Sequence, residues 1–296
     1  MSEIVIDISD TSADIRVDTG RLLFNMGGEE KKVALRDIGS LIISNPAVRI
    51  TQAVMTGLLA SGATLICCDN RHMPTGMLIP TEGNYIQGER IGLQVDCSKP
   101  RKKRLWQQTV KAKIRAQGRL LKNETGSSWG LIHLASKVAS GDSNNIEGHA
   151  ARIYWKRIFP ELNFIRDRYA RNQNRLLNYG YAVLRATMTR AICGTGLHPS
   201  LGLHHHNKYD AFRLANDLME PYRTVIDKIV CNWMQNTPEN TEVSKEWKSF
   251  FFDQMANPLT IENEKRCLMD CCTRTSFSLV QCLSGKATKL LFPKII

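Results

Sequence analysis

A chain of 296 residues, 43% of them hydrophobic, is long enough to bury one large core or two ordinary ones. Forty Lys and Arg against 28 Asp and Glu leave a formal charge of +12 and a pI near 9.4, which points to a polyanionic partner, nucleic acid before an acidic membrane surface. No apolar run nears the roughly 20 residues of a membrane span, and nine cysteines without C-x-x-C spacing or a preceding signal peptide imply reduced thiols in the cytoplasm.

The first part of the chain alternates with period two. Ile4, Ile6 and Ile8, then Ala13, Ile15 and Val17, place apolar side chains on one face, and short apolar runs follow at 22–24, 33–35 and 41–43 with turns between them. This predicts a small β meander or sandwich. A helix is expected over about 50–60, a further strand over 63–68, and then a turn-rich exit over 69–80 carrying Pro74, Gly76 and Pro80. A polar passage with Gly83, Gly88, Gly92 and Pro100 marks the boundary. The domain reading is therefore 1–85 β-rich, 86–100 linker and 101–296 helical.

Beyond the boundary the period becomes helical. Residues 101–122 carry nine Lys or Arg and no acid, with Trp106, Val110, Ile114 and Leu121 drawing one apolar stripe. A charge run is usually a solvated face, but a uniform sign repels itself unless something anionic lies against it. Arg101, Lys102, Lys103 and Arg104 are therefore expected under DNA phosphates, and so are Arg166, Arg168, Arg171 and Arg175 of a second basic series. Residues 143–155 read as a helix capped by Ser143 or Asn144, with Glu147 in its first turn beside Gly148. On its own, that Glu is ordinary helix-dipole complementation. Residues 176–192 read as a largely buried helix.

The stretch 196–223, GLHPSLGLHHHNKYDAFRLANDLMEPYR, concentrates the chemistry. His204, His205 and His206 lie in a loop leading into an amphipathic segment where Asp217 and Glu220, three apart, share a face. An imidazole from the loop together with these acids would suit a hard divalent ion, Mg²⁺ or Mn²⁺, better than zinc. A polar turn and a solvated helix face are the plain alternatives. The tail adds an aromatic cluster, Trp247 and 250–252, expected to pack against the core. Its Cys267, Cys271, Cys272 and Cys282 are expected as buried free thiols rather than a metal cluster, and an apolar end at 292–296 as either flexible or docked on a partner.

Four motifs in order, NIEGHAARIYW at 145–155, LLNYGYAVLRA at 176–186, GLHPSLGLHHHN at 196–207 and AFRLANDLMEPYR at 211–223, resemble the CRISPR-associated spacer integrase. The closest likeness is to the branch that accompanies the single-protein RNA-guided effector nuclease (type II). LICCDNRHMPTGMLIP at 65–80 is similar to the end of that family's first domain, so the resemblance covers the chain. It implies an α+β fold, an N-terminal β-sandwich-like domain that helps form a homodimer followed by an all-helical catalytic domain. It places the family's metal-binding Glu on Glu147, its His on His205 and its final acid on Glu220, with Asp217 as an accessory acid. The implied reaction is attack of DNA 3′-hydroxyls on phosphodiesters of a CRISPR array, with nuclease activity from the same centre. The implied partners are double-stranded DNA and a small ferredoxin-like adaptation protein, and beyond these the effector nuclease and further adaptation proteins. A zinc hydrolase built on the histidine triplet is disfavoured by the lack of an H-E-x-x-H spacing. A non-catalytic DNA-binding scaffold of the same fold is the remaining alternative.

Overall fold

A computed structural model describes residues 4–9, 11–70, 74–80, 84–159, 164–167 and 169–295. Its first part holds two four-stranded sheets. One orders β1 (Ile4–Ile8), β5 (Ile38–Ile43), β7 (Thr64–Cys68) and β8 (Pro74–Leu78) as β1-β5-β7-β8, and the other orders β4 (Glu29–Ala34), β3 (Arg21–Met26), β2 (Asp14–Asp18) and β6 (Arg49–Ile50) as β4-β3-β2-β6. Strands β2, β3 and β4 form the antiparallel meander that the alternation predicts. β1, β5 and β7 pair in parallel, which explains why β5 is apolar on both faces and buried nearly throughout.

Ile8, Leu41 and Leu65 from one sheet meet Ile15, Leu22 and Phe24 from the other, with Val54 and Leu58 of α1 (Gln52–Ala60), in a core of their own. The passage expected to leave the sheet instead contributes β8. Pro74 is tolerated there because it opens the strand and β8 lies at the sheet edge, where the missing N–H breaks no inner ladder.

Residues 86–100, expected as a linker, contain α2 (Gln87–Val95), and the long α3 (Lys99–Thr125) starts with Pro100 in its first turn. Gly83 lies outside the described residues. The helical region continues with α4 (Leu131–Leu134), α5 (Ile146–Ile158), α6 (Gln173–Gly194), α7 (Arg213–Met219), α8 (Arg223–Asn236), α9 (Lys245–Met255) and α10 (Leu268–Leu283). The hairpin β9 (Leu259–Ile261) and β10 (Glu264–Arg266) interrupts it. The fold is thus α+β, with sheets first and helices after.

The α3 stripe is buried as its spacing requires, with Trp106, Val110, Ile114 and Leu121 all at or near zero exposure. They join one large core to which α6 contributes most of its length and sheet residues Ile42 and Ile66 also belong. Trp247 and Phe251 are fully buried against Trp233 and Tyr179. Cys271, Cys272 and Cys282 are buried free thiols, while Cys267 is half-buried ahead of α10. The apolar end, expected as flexible or docked on a partner, packs instead on the chain itself: Lys294 bridges to Thr260 and Ile295 is buried, with Ile296 outside the described residues. Among the described residues no helix is long and apolar enough to cross a membrane.

Candidate active site

Glu147 enters from the first turn of α5. The cap is Asn145 rather than Ser143 or Asn144, because Asn145 takes a left-handed backbone (φ 50°) that asparagine tolerates and its side-chain oxygen accepts from Gly148 N–H. A Cβ on Gly148 would stand 2.6 Å from that oxygen, so the cap requires glycine. Asp142 accepts from the N–H groups of Ile146 and Glu147, completing the end of the helix.

Glu220 sits where α7 gives way to a 3₁₀ turn over Glu220–Tyr222, with Pro221 next in the chain. α3 packs against both α5 and this turn, and its Lys113 reaches between them. Lys113 Nζ lies 2.5 Å from Glu147 Oε1 and 2.6 Å from Glu220 Oε2, while Arg223 Nε donates to Glu220 Oε1 at 3.0 Å. Burial alone would raise the Glu220 carboxyl; Arg223 and Lys113 outweigh it and hold the group down to about 2. The same two carboxylates, Glu220 ahead of Glu147, outweigh the burial that would lower the Lys113 ammonium and hold it charged.

The histidine loop is wrapped around Asp217. That carboxylate is fully buried; Oδ2 accepts from Leu203 N–H at 2.6 Å and His204 N–H at 3.1 Å. Oδ1 accepts from His205 N–H at 3.3 Å and stands 2.5 Å from His205 Nδ1. Asp217 therefore does not stand free as an accessory metal ligand: its lone pairs are committed to the loop, which it orients. Gly202 is needed in this wrap, since a Cβ would lie 3.0 Å from Asp217 Oδ2 and from His205 O. From the other side α2 braces the loop, with Gln94 bonded to the backbone of His198 and Leu201 and Arg90 to Thr195 O. A passage that the sequence presented as a connection thus helps shape the site.

The three histidines are not equivalent. His204 stacks on Trp106, with ring centroids 4.4 Å apart and planes 1° from parallel, and burial lowers its pKa. His206 is exposed. His205 has its pKa raised, first by the hydrogen bond to Asp217, and an Nδ1–H donating there leaves the lone pair on Nε2, the tautomer a metal requires.

Among the described residues no group of three or more His, Cys, Asp or Glu stands at metal-holding spacing, neither the histidine triplet nor Glu147, His205 and Glu220 with Lys113 between the two acids. The two glutamates, however, already converge on a cation, the Lys113 ammonium. Glu220 Oε2 accepts no aligned hydrogen bond among the described residues even though Nζ is close. An ionised, buried oxygen lacking a directed donor and a second carboxylate facing the same ammonium are hard oxygen donors of the kind a divalent ion takes.

Residues 6–255 match the family described as CRISPR associated protein Cas1. The chain belongs to that family. It is 35% identical over 251 residues, 82% of this chain and 80% of the relative, to the CRISPR-associated endonuclease Cas1 of Neisseria meningitidis serogroup C (strain 8013). A second relative, the CRISPR-associated endonuclease Cas1 2 of Pyrobaculum aerophilum, is 26% identical over 238 residues, 76% of this chain and 81% of that protein. Among solved structures, a casposase bound to integration product aligns with TM-score 0.79 at 17% identity, covering 98% of this chain and 92% of that one. A Cas1 protein from Thermotoga maritima aligns with TM-score 0.79 at 18% identity, covering 95% and 97%. At such identities the likeness to these structures concerns the fold.

The basic residues of this Cas1 chain divide by environment. Lys103, Arg104 and Arg171 are exposed, and Lys102 is half-buried. Arg101 donates to Leu283 O, and Arg175 faces Glu242 at 3.7 Å. Arg166, expected under DNA, turns inward instead: its two terminal nitrogens donate to Asn174 and Asn178 at 2.6 Å, and burial lowers its pKa. Arg168 lies outside the described residues. Sequence reasoning missed Lys113 and Arg223. Lys113 follows Trp106 by seven positions and so falls on the apolar stripe, where a lone cation needs buried acids; Arg223 follows Glu220 by three.

Proposed function

We propose that this Cas1 chain is a divalent-metal-dependent DNA strand transferase and endonuclease. It joins the 3′-hydroxyls of short DNA fragments to phosphodiesters of a CRISPR array, with Mg²⁺ or Mn²⁺ held by Glu147, His205 and Glu220. The observation that carries the reading is the convergence of Glu147 and Glu220 on one cationic position, from helices 73 positions apart in the chain, beside a histidine whose tautomer Asp217 sets. A divalent ion bound there would supply activation of the attacking hydroxyl and neutralisation of the charge developing on the phosphoryl oxygens. Arg223 keeps Glu220 ionised, so a ligand oxygen is ready without proton release. Asp217 fixes the direction of the His205 ring, and the Trp106 stack on His204 stiffens the loop. Lys103, Arg104 and Arg171, exposed members of the two basic series, hold DNA phosphates without reading sequence.

The partners follow from relatives. The casposase bound to integration product supports DNA insertion as the reaction class, and a Cas6-RT-Cas1–Cas2 complex, aligned with TM-score 0.76 at 16% identity over 97% of this chain, supports assembly with a small Cas2-type partner. A homodimer through the β-rich part fits the same reading. On its four motifs we place the chain in the branch that works beside the RNA-guided effector nuclease.

The test is strand transfer of a short duplex with free 3′-ends into supercoiled plasmid, in Mg²⁺ or Mn²⁺. Glu147→Ala, Glu220→Ala and His205→Ala should each lower the rate by at least about 10²-fold, the scale of losing a charge-stabilising group. Parent-like integration by Glu147→Ala and His205→Ala would remove the site assignment. Loss of activity in the parent with DNA binding intact would favour a scaffold.

A further inference from the structure

Lys113 is an unusual residue to find where it is. It lies mid-helix in α3 between Val110 and Ile114, both fully buried, and near Gln117, 4% exposed, yet its own side chain keeps 13% exposure, so its ammonium stands between the acids with solvent at one side. Glu147 and Glu220 each contribute one negative charge, and Lys113 and Arg223 each one positive charge. The set is neutral without any ion. Adding a divalent cation would leave these four groups with two excess positive charges, of which Asp217 beside His205 offsets one, and the ion and Nζ would compete for the same oxygens, Glu147 Oε1 and Glu220 Oε2. Like charges cannot share that position. Arg223 is not the group to give way, because it holds the opposite oxygen of Glu220. Lys113 has a flexible stem and a point charge, so it can withdraw.

The geometry points to Lys113 as an exchangeable counter-ion: it holds Glu147 and Glu220 together in the ion-free chain and yields its place when the divalent ion enters. Lys113 is thus a positioning residue whose charge competes with the metal and sets the concentration at which the site fills. This rests on the metal site proposed above.

The experiment measures Mn²⁺ binding to the full chain without DNA, by paramagnetic resonance of the free ion and by calorimetry, for the parent, Lys113→Met, Lys113→Arg and Glu147→Gln. Lys113→Met should bind Mn²⁺ about tenfold more tightly or better, a change of the size neighbours of metal ligands impose, and Lys113→Arg should stay near the parent. Without metal, Lys113→Met should melt lower than the parent, and saturating Mn²⁺ should raise its Tm by more than it raises the parent's. A purely structural lysine predicts the reverse for affinity, weaker binding as the acids move apart. Should Lys113→Met not fold, the parent alone decides: acylation of Lys113, followed by peptide mass, should quicken when Mn²⁺ saturates the site, and an unchanged rate overturns the exchange. If the parent binds Mn²⁺, Glu147→Gln weakens it and folded Lys113→Met binds no more tightly, the exchange is wrong and the metal site stands. If neither the parent nor Lys113→Met binds Mn²⁺, both fall. Binding that appears only in Lys113→Met supports the exchange.

Discussion

Two buried carboxylates seven positions apart, Glu220 and Asp227, are driven in opposite directions by their surroundings. Glu220 is held down to about 2 because Arg223 and Lys113 overcome its burial. Around Asp227 burial prevails: Tyr154 donates to Oδ2 at 2.7 Å and Tyr181 to Oδ1, with Arg223 and Arg166 nearby, yet the carboxyl is pushed up to about 6 from an ordinary 3.8. Between those values the native chain keeps a proton that the unfolded chain has released, so this group's contribution to stability falls as pH rises from about 4 to about 6. Glu220 has the other sign, its contribution being present above 4.5 and lost as pH falls toward 2. Asp227→Asn cannot ionise and lacks the first slope. Urea unfolding at a series of pH values should therefore show the variant gaining on the parent by about 2–3 kcal/mol between pH 4 and pH 7. A difference that stays flat with pH would assign the slope elsewhere. The residues of this layer were unevenly legible. Resemblance put roles on Glu147, His205 and Glu220, but three histidines in a row could not be told apart until the loop's bonds to Asp217 were seen, because neighbours in a loop point in unrelated directions. The partners of the acids, Lys113 and Arg223, carried no motif and were visible only as charges out of place on helices.

Elements declared themselves where their period was regular and hid where tertiary packing or a turn decided. The α3 stripe and the meander follow directly from spacing. The hairpin β9–β10 does not: its turn places Glu262 and Asn263 at φ 52° and 65°, left-handed positions that an Asn-Gly pair would have announced and this sequence fills without glycine. β8 was hidden by Pro74, and α2 by the glycines that made its stretch look like a passage. Helix α6 shows packing overruling propensity in another way. Gly180, mid-helix, faces both α8 and α9: a Cβ there would collide with Ile226 Cγ2 and lie 3.0 Å from Phe251 Cε2. Alanine is the better helix former by about 1 kcal/mol, yet the crowding should dominate. Gly180→Ala is expected to destabilise by about 1–3 kcal/mol, seen as a lowered urea midpoint with unchanged slope. A raised midpoint would show that α8 and α9 can move apart freely, and that glycine is not required for their packing.

At the scale of the molecule, one sheet serves two cores. Leu41 and Leu65 face the sandwich interior, while Ile42 and Ile66 on the opposite face belong to the helical core, so β5 and β7 weld the two parts together. A polar joint lies beside this weld. Lys248 of α9, 5% exposed, stands 3.6 Å from Asp7 of β1 and donates to Ser9, and Tyr179 of α6 donates to Asp7 at 3.0 Å. The joint spans more than 240 positions of sequence, a pairing that no local period could disclose. Lys248→Met keeps the stem's packing but leaves Asp7 without its counter-charge, at a cost of about 3–5 kcal/mol for a buried pair broken on one side. Asp7→Asn with Lys248→Met removes both charges together and should recover much of that loss, because a neutral pair of similar shape needs no compensation. The cycle is read by urea unfolding, with strand transfer measured on the folded fraction. Strict additivity of the two substitutions would show that the charges do not recognise each other. Recovery of stability would instead identify the joint as the electrostatic part of the contact between sheet and helices, with the apolar weld of β5 and β7 supplying the rest. Since α6 and α9 belong to the body that carries Glu147 and Glu220, strand transfer in the recovered double variant should match the parent's, because nothing in the joint touches the acids themselves.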